Sequence, residues 1–499
     1  MSRKAALTCL LALSALYCVA ELMPGRFSVT DELYFKAAGA HWAATGRFAA
    51  PELTGFTSTV PPLSEVFFPY PPLYPFLFGV YTKVVGFGPR SCILYDLAIH
   101  LLLVWFGVLA ARLVHRVPWS ASVLCGALLV PLGTVGRPDE LGIVFALGAA
   151  LALRKEVPHK FAIPIGGALL GFCCATSLGA CLFLGSLVGW EATLREQSHL
   201  RKLRNLVNTA LVAVVVALAC VAPILVTHPL AYRQLVTVGT SVTVFANAGS
   251  GHHIPHIGFL RTWIYSLWYG YDKGVLIAGG LIFCLLCWRF DNNREGTVYS
   301  RFVLVVFSLL LLLVLMPGEY TYLWFSGTWL LIACVALGWR ISRSLPPFRW
   351  RSLVAVAVLV WLIASMPYFR WKAILWTLPA DQSLTVNIKR VQDEVPVGAG
   401  VLTADYWWAL ASRNPVYDPR CSHPGPDAFE YVVLTGNGSG QPGEPRLPEV
   451  GIEESQWQIS DDHLRSEPPS IFGLRLSRSA YGFGPYILKK RSGPTTFQR

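Results

Sequence analysis

The chain has 499 residues, of which 54% are hydrophobic and only 14% are charged. Soluble domains carry about 25% charged residues, so this composition excludes an ordinary soluble protein and indicates a polytopic membrane protein with at most one soluble appendage. The formal net charge of +12 does not indicate nucleic-acid binding, because no basic helix with interleaved aromatic residues occurs. Lysines and arginines instead collect between apolar runs, as membrane orientation requires.

The first apolar run, residues 5–23, is either a cleaved signal peptide or a retained span. The loop after it opens with two adjacent carboxylates, Asp31 and Glu32. Apolar residues then recur at helical spacing, which predicts a helix lying in the membrane interface with its acids at the water boundary. These apolar positions are Leu33, Tyr34, Ala37, Ala38, His41 and Trp42.

A second short helix is predicted near the end of this loop. Glu65 precedes a proline-rich corner that contains Tyr70 and Tyr74, and proline is favoured in the first turn of a helix. The apolar run after this corner, residues 73–85, is too short to cross a membrane easily, since a span needs about 20 residues. We therefore interpret it as re-entrant or interfacial.

The remaining apolar runs predict an all-α membrane bundle of about eleven spans. They cover about residues 91–111, 119–133, 141–153, 161–190 (two tightly joined runs), 206–226, 275–288, 302–316, 322–339 and 353–366. Basic loops at residues 112–116, 154–160, 195–204, 289–301 and 340–351 are predicted to face the cytoplasm. The first loop and residues 136–140, 227–273 and 317–321 then face outward.

The composition changes after residue 366, which predicts two domains, a membrane domain over 1–366 and an α/β domain over 367–499. Residues 382–395 have an amphipathic helical pattern. Short strands are predicted at 400–404, 431–435, 471–476 and 486–490, separated by glycine- and proline-rich turns. An odd number of spans places this α/β domain outside the cytoplasm. The predicted location is the inner (plasma) membrane of a bacterium.

Three acidic sites share the predicted outer face: Asp31 with Glu32, Glu65, and Asp139 with Glu140. Loop solvation or helix capping explains any one of them. Glycosyl transfer from a lipid phosphate explains why they gather, because the phosphate leaves readily and only the acceptor needs a base. Catalytic roles are therefore predicted for Asp31, Glu32 and Asp139.

Cations and aromatic residues on the same face complete the predicted site. Arg137, Arg261 and Lys273 are predicted to bind the donor phosphate. A substrate groove is predicted from Tyr70, Tyr74, Tyr320 and Tyr322, although the last two also fit interface anchors. The cofactor is undetermined; a divalent metal held by Glu65 and His256 is one hypothesis, and merely solvated histidines are the alternative.

Asp96 and His100 lie one helical turn apart inside a predicted span. Ionisable side chains within a membrane are costly and indicate function by default. The alternative is that the two side chains pair with each other and close the helix bundle. The sequence does not decide between these interpretations.

Together these segments resemble the GT-C class of polytopic glycosyltransferases, in particular bacterial relatives of protein O-mannosyltransferases and the lipid A aminoarabinose transferase. The resemblance covers roughly the first 340 residues and depends on the order of its motifs. The motifs are Asp31-Glu32-Leu33-Tyr34 with Ala37-Ala38 and Gly46, Pro71-Pro72-Leu73-Tyr74-Pro75, Arg137-Pro138-Asp139, and Tyr320-Thr321-Tyr322-Leu323.

The resemblance implies a polyprenyl-phosphate-linked sugar donor and inverting transfer, on the outer face, to an envelope lipid, glycan or protein. Asp31 matches the family's first-loop catalytic aspartate and Asp139 its second outer-face acid. Glu65 falls near the position of a metal ligand in the aminoarabinose enzyme, but its flanking sequence differs. Relatives often carry a lysine after a threonine in mid-bundle, whereas here Thr176 is followed by Ser177.

Two other functions remain open from the sequence. A membrane transporter or lipid flippase without sugar transfer is the first, but most charges lie at span ends and no internal repeat is visible. A non-catalytic scaffold that displays the C-terminal domain is the second.

Overall fold

The computed structural model describes the chain in several stretches. They are residues 2–23, 30–53, 61–132, 136–235, 380–403, 406–417, 427–435, 456–462, 470–471, 474–475 and 485–491, with scattered helical positions between 328 and 376. The predicted spans at 275–288 and 302–316 lie outside the described residues.

The described part of the membrane domain is helical. Its helices are α1 (Arg3–Leu22), α2 (Thr30–Thr45), α3 (Leu73–Val85), α4 (Pro89–Leu109), α5 (Trp119–Leu129), α6 (Pro138–Ala152), α7 (His159–Thr176), α8 (Leu178–Leu194) and α9 (His199–Thr227). A π-helical turn, Ala110–Val114, extends α4. Short 3-10 turns occur at Pro51–Leu53, Val130–Leu132, Pro229–Ala231 and Ala380–Gln382.

Seven predicted spans, those up to residue 226, correspond to α1 and α4–α9 among the described helices. In the part of the chain that the structure describes, four helical segments are long and apolar enough to cross a membrane by themselves: Arg3–Leu22, Pro89–Val114, His159–Thr176 and His199–Thr227. The protein is therefore a helical membrane protein. The total of about eleven spans stays a prediction, because the later runs lie largely outside the described residues.

Helix boundaries follow local residue chemistry. Pro138 occupies the first turn of α6, with Asp139 and Glu140 beside it at the positive end of the helix dipole. Ser177 alone separates α7 from α8, because its backbone is extended (φ −151°, ψ 111°). Its hydroxyl oxygen accepts a hydrogen bond from the Ala180 N–H at 3.2 Å, which caps the new helix.

Glycines permit the closest helix contacts. On α7, a Cβ added at Gly167 would lie 2.7 Å from the Val212 Cβ, and one at Gly171 would lie 2.6 Å from the Ala213 carbonyl oxygen of α9. Small residues at this four-residue spacing let membrane helices approach closely, which is how α7 packs along α9.

The two short helices of the first loop, α2 and α3, form a tightly packed pair. A Cβ at Gly39 would lie 2.0 Å from the Pro75 carbonyl oxygen, and one at Gly79 would lie 2.6 Å from the Gly39 carbonyl oxygen. Trp42 packs on Phe76 with ring centroids 4.9 Å apart. The 13 residues of α3 agree with the expected short helix, and its interfacial position stays a prediction.

The C-terminal part is an α/β unit. Helices α10 (Leu384–Glu394) and α11 (Trp407–Leu410) accompany strands β1 (Val401–Leu402), β2 (Val416–Tyr417), β3 (Tyr431–Thr435), β4 (Trp457–Asp462), β5 (Ser470–Ile471), β6 (Leu474–Arg475) and β7 (Pro485–Lys490). The main sheet has the order β2-β1-β3-β7-β4. Strand β1 is parallel to β2 and β3, whereas β7 is antiparallel to β3 and β4.

Two strand predictions needed correction. Residues 471–476 are not one strand, because β5 and β6 pair with each other as two short antiparallel strands. Strands β2 and β4 were not predicted. The domain boundary at 366/367 stays a prediction.

The α/β unit packs against the end of the bundle that carries the first loop. One buried hydrophobic cluster contains Leu53 and Phe78 from the membrane part and Val401, Trp407 and Val416 from the α/β unit. The side of the membrane that this end faces stays a prediction, but the first loop and the α/β unit share it.

Candidate active site

Two of the predicted acidic sites meet at a glycine. Gly136 has a positive φ of +73°, and a Cβ there would lie 2.0 Å from the Glu32 Cγ. Only glycine fits this backbone conformation beside another side chain without strain. The start of α2 therefore lies directly against the link that leads into α6.

Asp139, next in this link, is buried and held on both oxygens. Its Oδ2 accepts a hydrogen bond from Arg137 Nε at 2.9 Å, and its Oδ1 accepts one from the Ser177 hydroxyl at 3.0 Å. The Arg137 guanidinium also lies 5.3 Å from the Phe35 ring centroid on α2. Ser177, which follows Thr176 at the end of α7, thus helps to orient Asp139.

Glu32 belongs to a buried ionic cluster that the sequence did not predict. Lys36, one turn later on α2, donates to Glu32 Oε1 at 3.0 Å and to Asp96 Oδ2 on α4 at 2.7 Å. Tyr74 of α3 donates to the other Asp96 oxygen at 3.3 Å. The lysine was visible in the sequence, but its distant partner was not, because Asp96 lies 60 residues away.

Asp96 and His100 do not pair with each other. His100 Nδ1 lies 3.2 Å from Glu140 Oε1 on α6, and its Nε2 lies 3.1 Å from the Val130 carbonyl oxygen. Each of the two groups therefore joins α4 to a different helix. The mutual pairing considered from the sequence is absent among the described contacts of His100.

A second ion pair joins the two ends of the membrane part. Glu21, at the end of α1, accepts from Lys372 Nζ at 2.5 Å and from the Tyr368 hydroxyl at 3.0 Å. Sequence reasoning missed this pair, although an acid in the last turn of an otherwise apolar run was a usable signal. The pair ties α1 to the segment that leads into the α/β unit.

Glu65 lies apart from these clusters, on the rim of a cleft of about 790 Å³. The walls are mostly apolar and come from α2, α3 and the end of α9, while Arg47 and His228 share the rim with Glu65. The apolar lining includes Trp42, Phe48, Leu73, Phe76, Ala219, Pro223 and Ile224. An apolar wall with a few charged groups at its mouth suits an amphiphilic ligand.

The predicted groove tyrosines lie elsewhere. Tyr74 is fully buried and faces Asp96, and Tyr70 packs edge-on against Phe35 with ring centroids 4.9 Å apart. Neither belongs to the lining of the cleft that carries Glu65. Their role as a substrate groove stays a prediction.

Several predicted site residues lie outside the described part of the chain. Asp31 lies in the first turn of α2, next to Glu32, but its side chain is not among those described. The other residues outside the described part are Arg261, Lys273, His256, Tyr320 and Tyr322. Within the described residues, no three histidine, cysteine, aspartate or glutamate side chains are grouped to hold a metal, so the metal site stays a prediction.

Glu52 is a further acid that sequence reasoning missed. It lies in the Pro51–Leu53 turn, which packs against β2 of the α/β unit. Its Oε2 is buried without a hydrogen-bond partner. Burial raises the pKa of the Glu52 carboxyl to about 7, against a smaller opposing effect of its own backbone N–H.

The arrangement of helices has solved counterparts. ArnT from Cupriavidus metallidurans, solved bound to undecaprenyl phosphate, matches 99% of this chain and 99% of its own with a TM-score of 0.51 and 11% sequence identity. The chain has the GT-C fold. An oligosaccharyltransferase from Archaeoglobus fulgidus, solved in complex with Zn and sulfate, matches 86% of this chain and 68% of its own with a TM-score of 0.46 and 12% identity.

Sequence comparison alone finds neither a matching family model nor a matching curated protein. At 11% identity, the similarity to the GT-C fold lies in the arrangement of the helices and not in the sequence. The resemblance inferred from the ordered motifs is confirmed at the level of the fold.

Proposed function

We propose that this GT-C protein is an integral membrane glycosyltransferase that moves a sugar from a polyprenyl-phosphate donor to an envelope acceptor with inversion. The observation that carries the proposal is the junction at Gly136, where the start of α2 meets the Arg137–Asp139 link. At this junction Glu32 of the first loop lies against the link that carries Asp139, which supports a shared site for the two predicted acids. A single catalytic surface requires that convergence.

The proposed chemistry is a single displacement. An acceptor hydroxyl or amine attacks the anomeric carbon from the face opposite the phosphate, while the bond between that carbon and the phosphate oxygen breaks. Asp31 takes the acceptor proton, and the phosphate leaves as an anion without needing an acid. One displacement inverts the configuration at the anomeric carbon.

Arg137 is the described cation best placed to meet the departing phosphate. Its side chain is one-fifth exposed, and Asp139 and Phe35 fix its orientation. Guanidinium groups match the geometry of phosphate oxygens. Arg261 and Lys273 are proposed to add charge from the later outer loop, and Asp139 is proposed to act mainly by orienting Arg137.

The cleft between α2, α3 and α9 is the proposed entry for the prenyl chain. Its apolar walls suit an isoprenoid tail, and Arg47 at the rim suits the charge of a phosphate. ArnT was solved with undecaprenyl phosphate, which is a lipid of this chemistry. Glu65 on the same rim remains the proposed metal ligand, together with His256.

The test is sugar transfer by the purified protein in proteoliposomes supplied with labelled prenyl-phosphate sugars and envelope extract as acceptor. Asp31→Asn is expected to lower kcat at least about 100-fold, the usual contribution of a general base. Glu156→Gln, an exposed carboxylate on a predicted cytoplasmic loop, is the matched control and should keep full activity.

Unchanged turnover in Asp31→Asn would reject Asp31 as the base. Lipid or solute uptake by the same proteoliposomes without any sugar transfer would instead favour the transporter or flippase.

A further inference from the structure

Lys36 is a lysine with no exposed surface, held between two carboxylates. Its ammonium lies 3.0 Å from Glu32 Oε1 and 2.7 Å from Asp96 Oδ2, and its side chain is 0% exposed. Burying an ammonium group is costly unless it is paired and hydrogen-bonded. A buried lysine of this kind fixes the elements that carry its partners relative to one another.

Three helices meet at this ammonium group. Lys36 belongs to α2 and Asp96 to α4, while Tyr74 of α3 donates to the remaining Asp96 oxygen at 3.3 Å. The Phe78 ring of α3 covers the ammonium at 5.4 Å. The arrangement therefore fixes the rotation of α2 about its own axis and its depth against α3 and α4.

The same ammonium group sets the position of Glu32. One oxygen of Glu32 accepts from Lys36, and its Cγ lies against the backbone of Gly136. Gly136 directly precedes Arg137, whose guanidinium binds Asp139. A continuous line of contacts thus runs from Asp96 through Lys36 and Glu32 to the link that orients Asp139.

Lys36 is unsuited to binding the donor phosphate itself. Its ammonium group already binds two carboxylates and contacts the Phe78 ring, and no part of its side chain reaches the surface. Its influence on transfer must therefore pass through the groups that it holds.

We infer that Lys36 is a positioning residue for the proposed transfer. Through Glu32 it holds the first turn of α2, with Asp31, in register with the Arg137–Asp139 link. The inference rests on the proposed function, and it makes Glu32 part of this positioning device. A displacement of about 1 Å between reacting groups lowers the rate about 100-fold, so loss of Lys36 acts on kcat.

The experiment compares Lys36→Met/Asp96→Asn with Lys36→Arg in the full-length protein in proteoliposomes. The double variant keeps the summed charge of the cluster at −1, since one cation and one anion are removed together, and it retains Glu32. The expected result, measured on the folded protein, is a kcat lowered about 10- to 100-fold and a donor KM changed less than about threefold. The melting temperature is expected to fall as well, because the buried Glu32 loses Lys36 as a partner. A residue that only stabilises the fold would move the melting temperature and leave kcat intact.

Lys36→Arg decides the question if the double variant fails to fold, because it keeps the charge and changes only its geometry. It is expected to lower kcat at least about fivefold with little change in donor KM. Lys160→Met, at an exposed lysine in the first turn of α7, is the matched control and should behave as the wild type.

Wild-type kcat in a folded Lys36→Met/Asp96→Asn or Lys36→Arg protein overturns the inference. In that case the wild type remains active, and the proposed function stands. A wild type that transfers no sugar from any prenyl-phosphate donor contradicts the proposed function itself.

Discussion

Single buried charges help to hold together the end of the bundle that carries the first loop. Lys36, Asp139 and Glu21 each have identified partners on other helices. Glu52 differs, because within the described part of the chain its buried Oε2 has no hydrogen-bond partner. A buried carboxyl with one unsatisfied oxygen is destabilising when ionised, so its protonation state affects the contact between the first loop and β2.

The pH dependence of stability follows from the raised pKa of Glu52. Its folded-state pKa of about 7 lies above the ordinary value of 4.5, so the folded protein binds the proton more tightly than the unfolded chain. The contribution of the protonated Glu52 carboxyl to the free energy of unfolding is fully present below pH 4.5. It is lost as the pH rises through the folded-state pKa of about 7. Above that pH the ionised carboxyl costs about 3 kcal/mol.

Glu52→Gln is therefore expected to raise the melting temperature of the full-length protein at pH 8 much more than at pH 5. Thermal unfolding in detergent at the two pH values measures the difference. Glu156→Gln serves as the control, because that exposed carboxyl has a pKa lowered chiefly by its own backbone N–H and also by Arg154. Equal shifts for Glu52→Gln at both pH values would contradict the assignment.

Among the elements, the start of α2 and the start of α6 form the contact on which the proposed site depends. The Arg137 guanidinium, just before α6, lies 5.3 Å from the Phe35 ring centroid of α2, and a closer contact with the backbone lies beside it. Contact is made because Gly136 leaves room for the stem of Glu32. The two acidic helix starts therefore come this close because residue 136 has no side chain.

Gly136→Ala tests this coupling. The new Cβ would lie 2.0 Å from the Glu32 Cγ in a backbone with φ +73°, so we expect both lower stability and a large loss of transfer activity. Gly86→Ala is the matched control, because Gly86 has φ +91° but nothing within 4 Å of a Cβ.

The control is expected to lose about 1–3 kcal/mol from backbone strain, because φ +91° with ψ 154° is a conformation nearly confined to glycine, and to keep its activity. Melting temperature and transfer rate, measured on both variants, separate strain from displacement of Glu32. Equal activity in the two variants would mean that the position of Glu32 does not matter for transfer.

At the scale of the whole molecule, the first loop and the α/β unit lie at one end of the bundle. A tilted ring contact between Phe87 and Trp407, with centroids 5.1 Å apart, and the shared cluster around Leu53 join them. The basic loops at 154–160 and 195–204 are predicted to face the opposite side. Labelling a few positions at the two ends of the bundle therefore measures which side of the membrane each end faces.

Single cysteines introduced into a cysteine-depleted protein measure that orientation. Thr45→Cys on α2 and Val397→Cys in the α/β unit are exposed positions, and an impermeant maleimide added to intact cells should label both. Glu156→Cys should react only after the cells are opened. Labelling of Glu156→Cys together with Thr45→Cys in intact cells would place the basic loops outside and contradict the topology.

The sequence by itself determined the class of protein, the seven helices α1 and α4–α9, the two short helices of the first loop and the ordered motifs that resemble GT-C enzymes. Apolar run length and basic loops are local signals, and a helix in a membrane satisfies its own backbone hydrogen bonds, so one segment suffices to predict it. The α/β strands were harder, because short strands such as β2 are defined by partners distant in the chain.

Only the tertiary structure decided which charges meet. Asp96 and His100, neighbours on one helix, bind Lys36 and Glu140 on two different helices. The convergence of the α2 start with the Arg137–Asp139 link depends on a positive φ at Gly136 and on side-chain packing between segments about 100 residues apart. Such contacts are set by the packing of whole helices, and no local pattern in the chain encodes them.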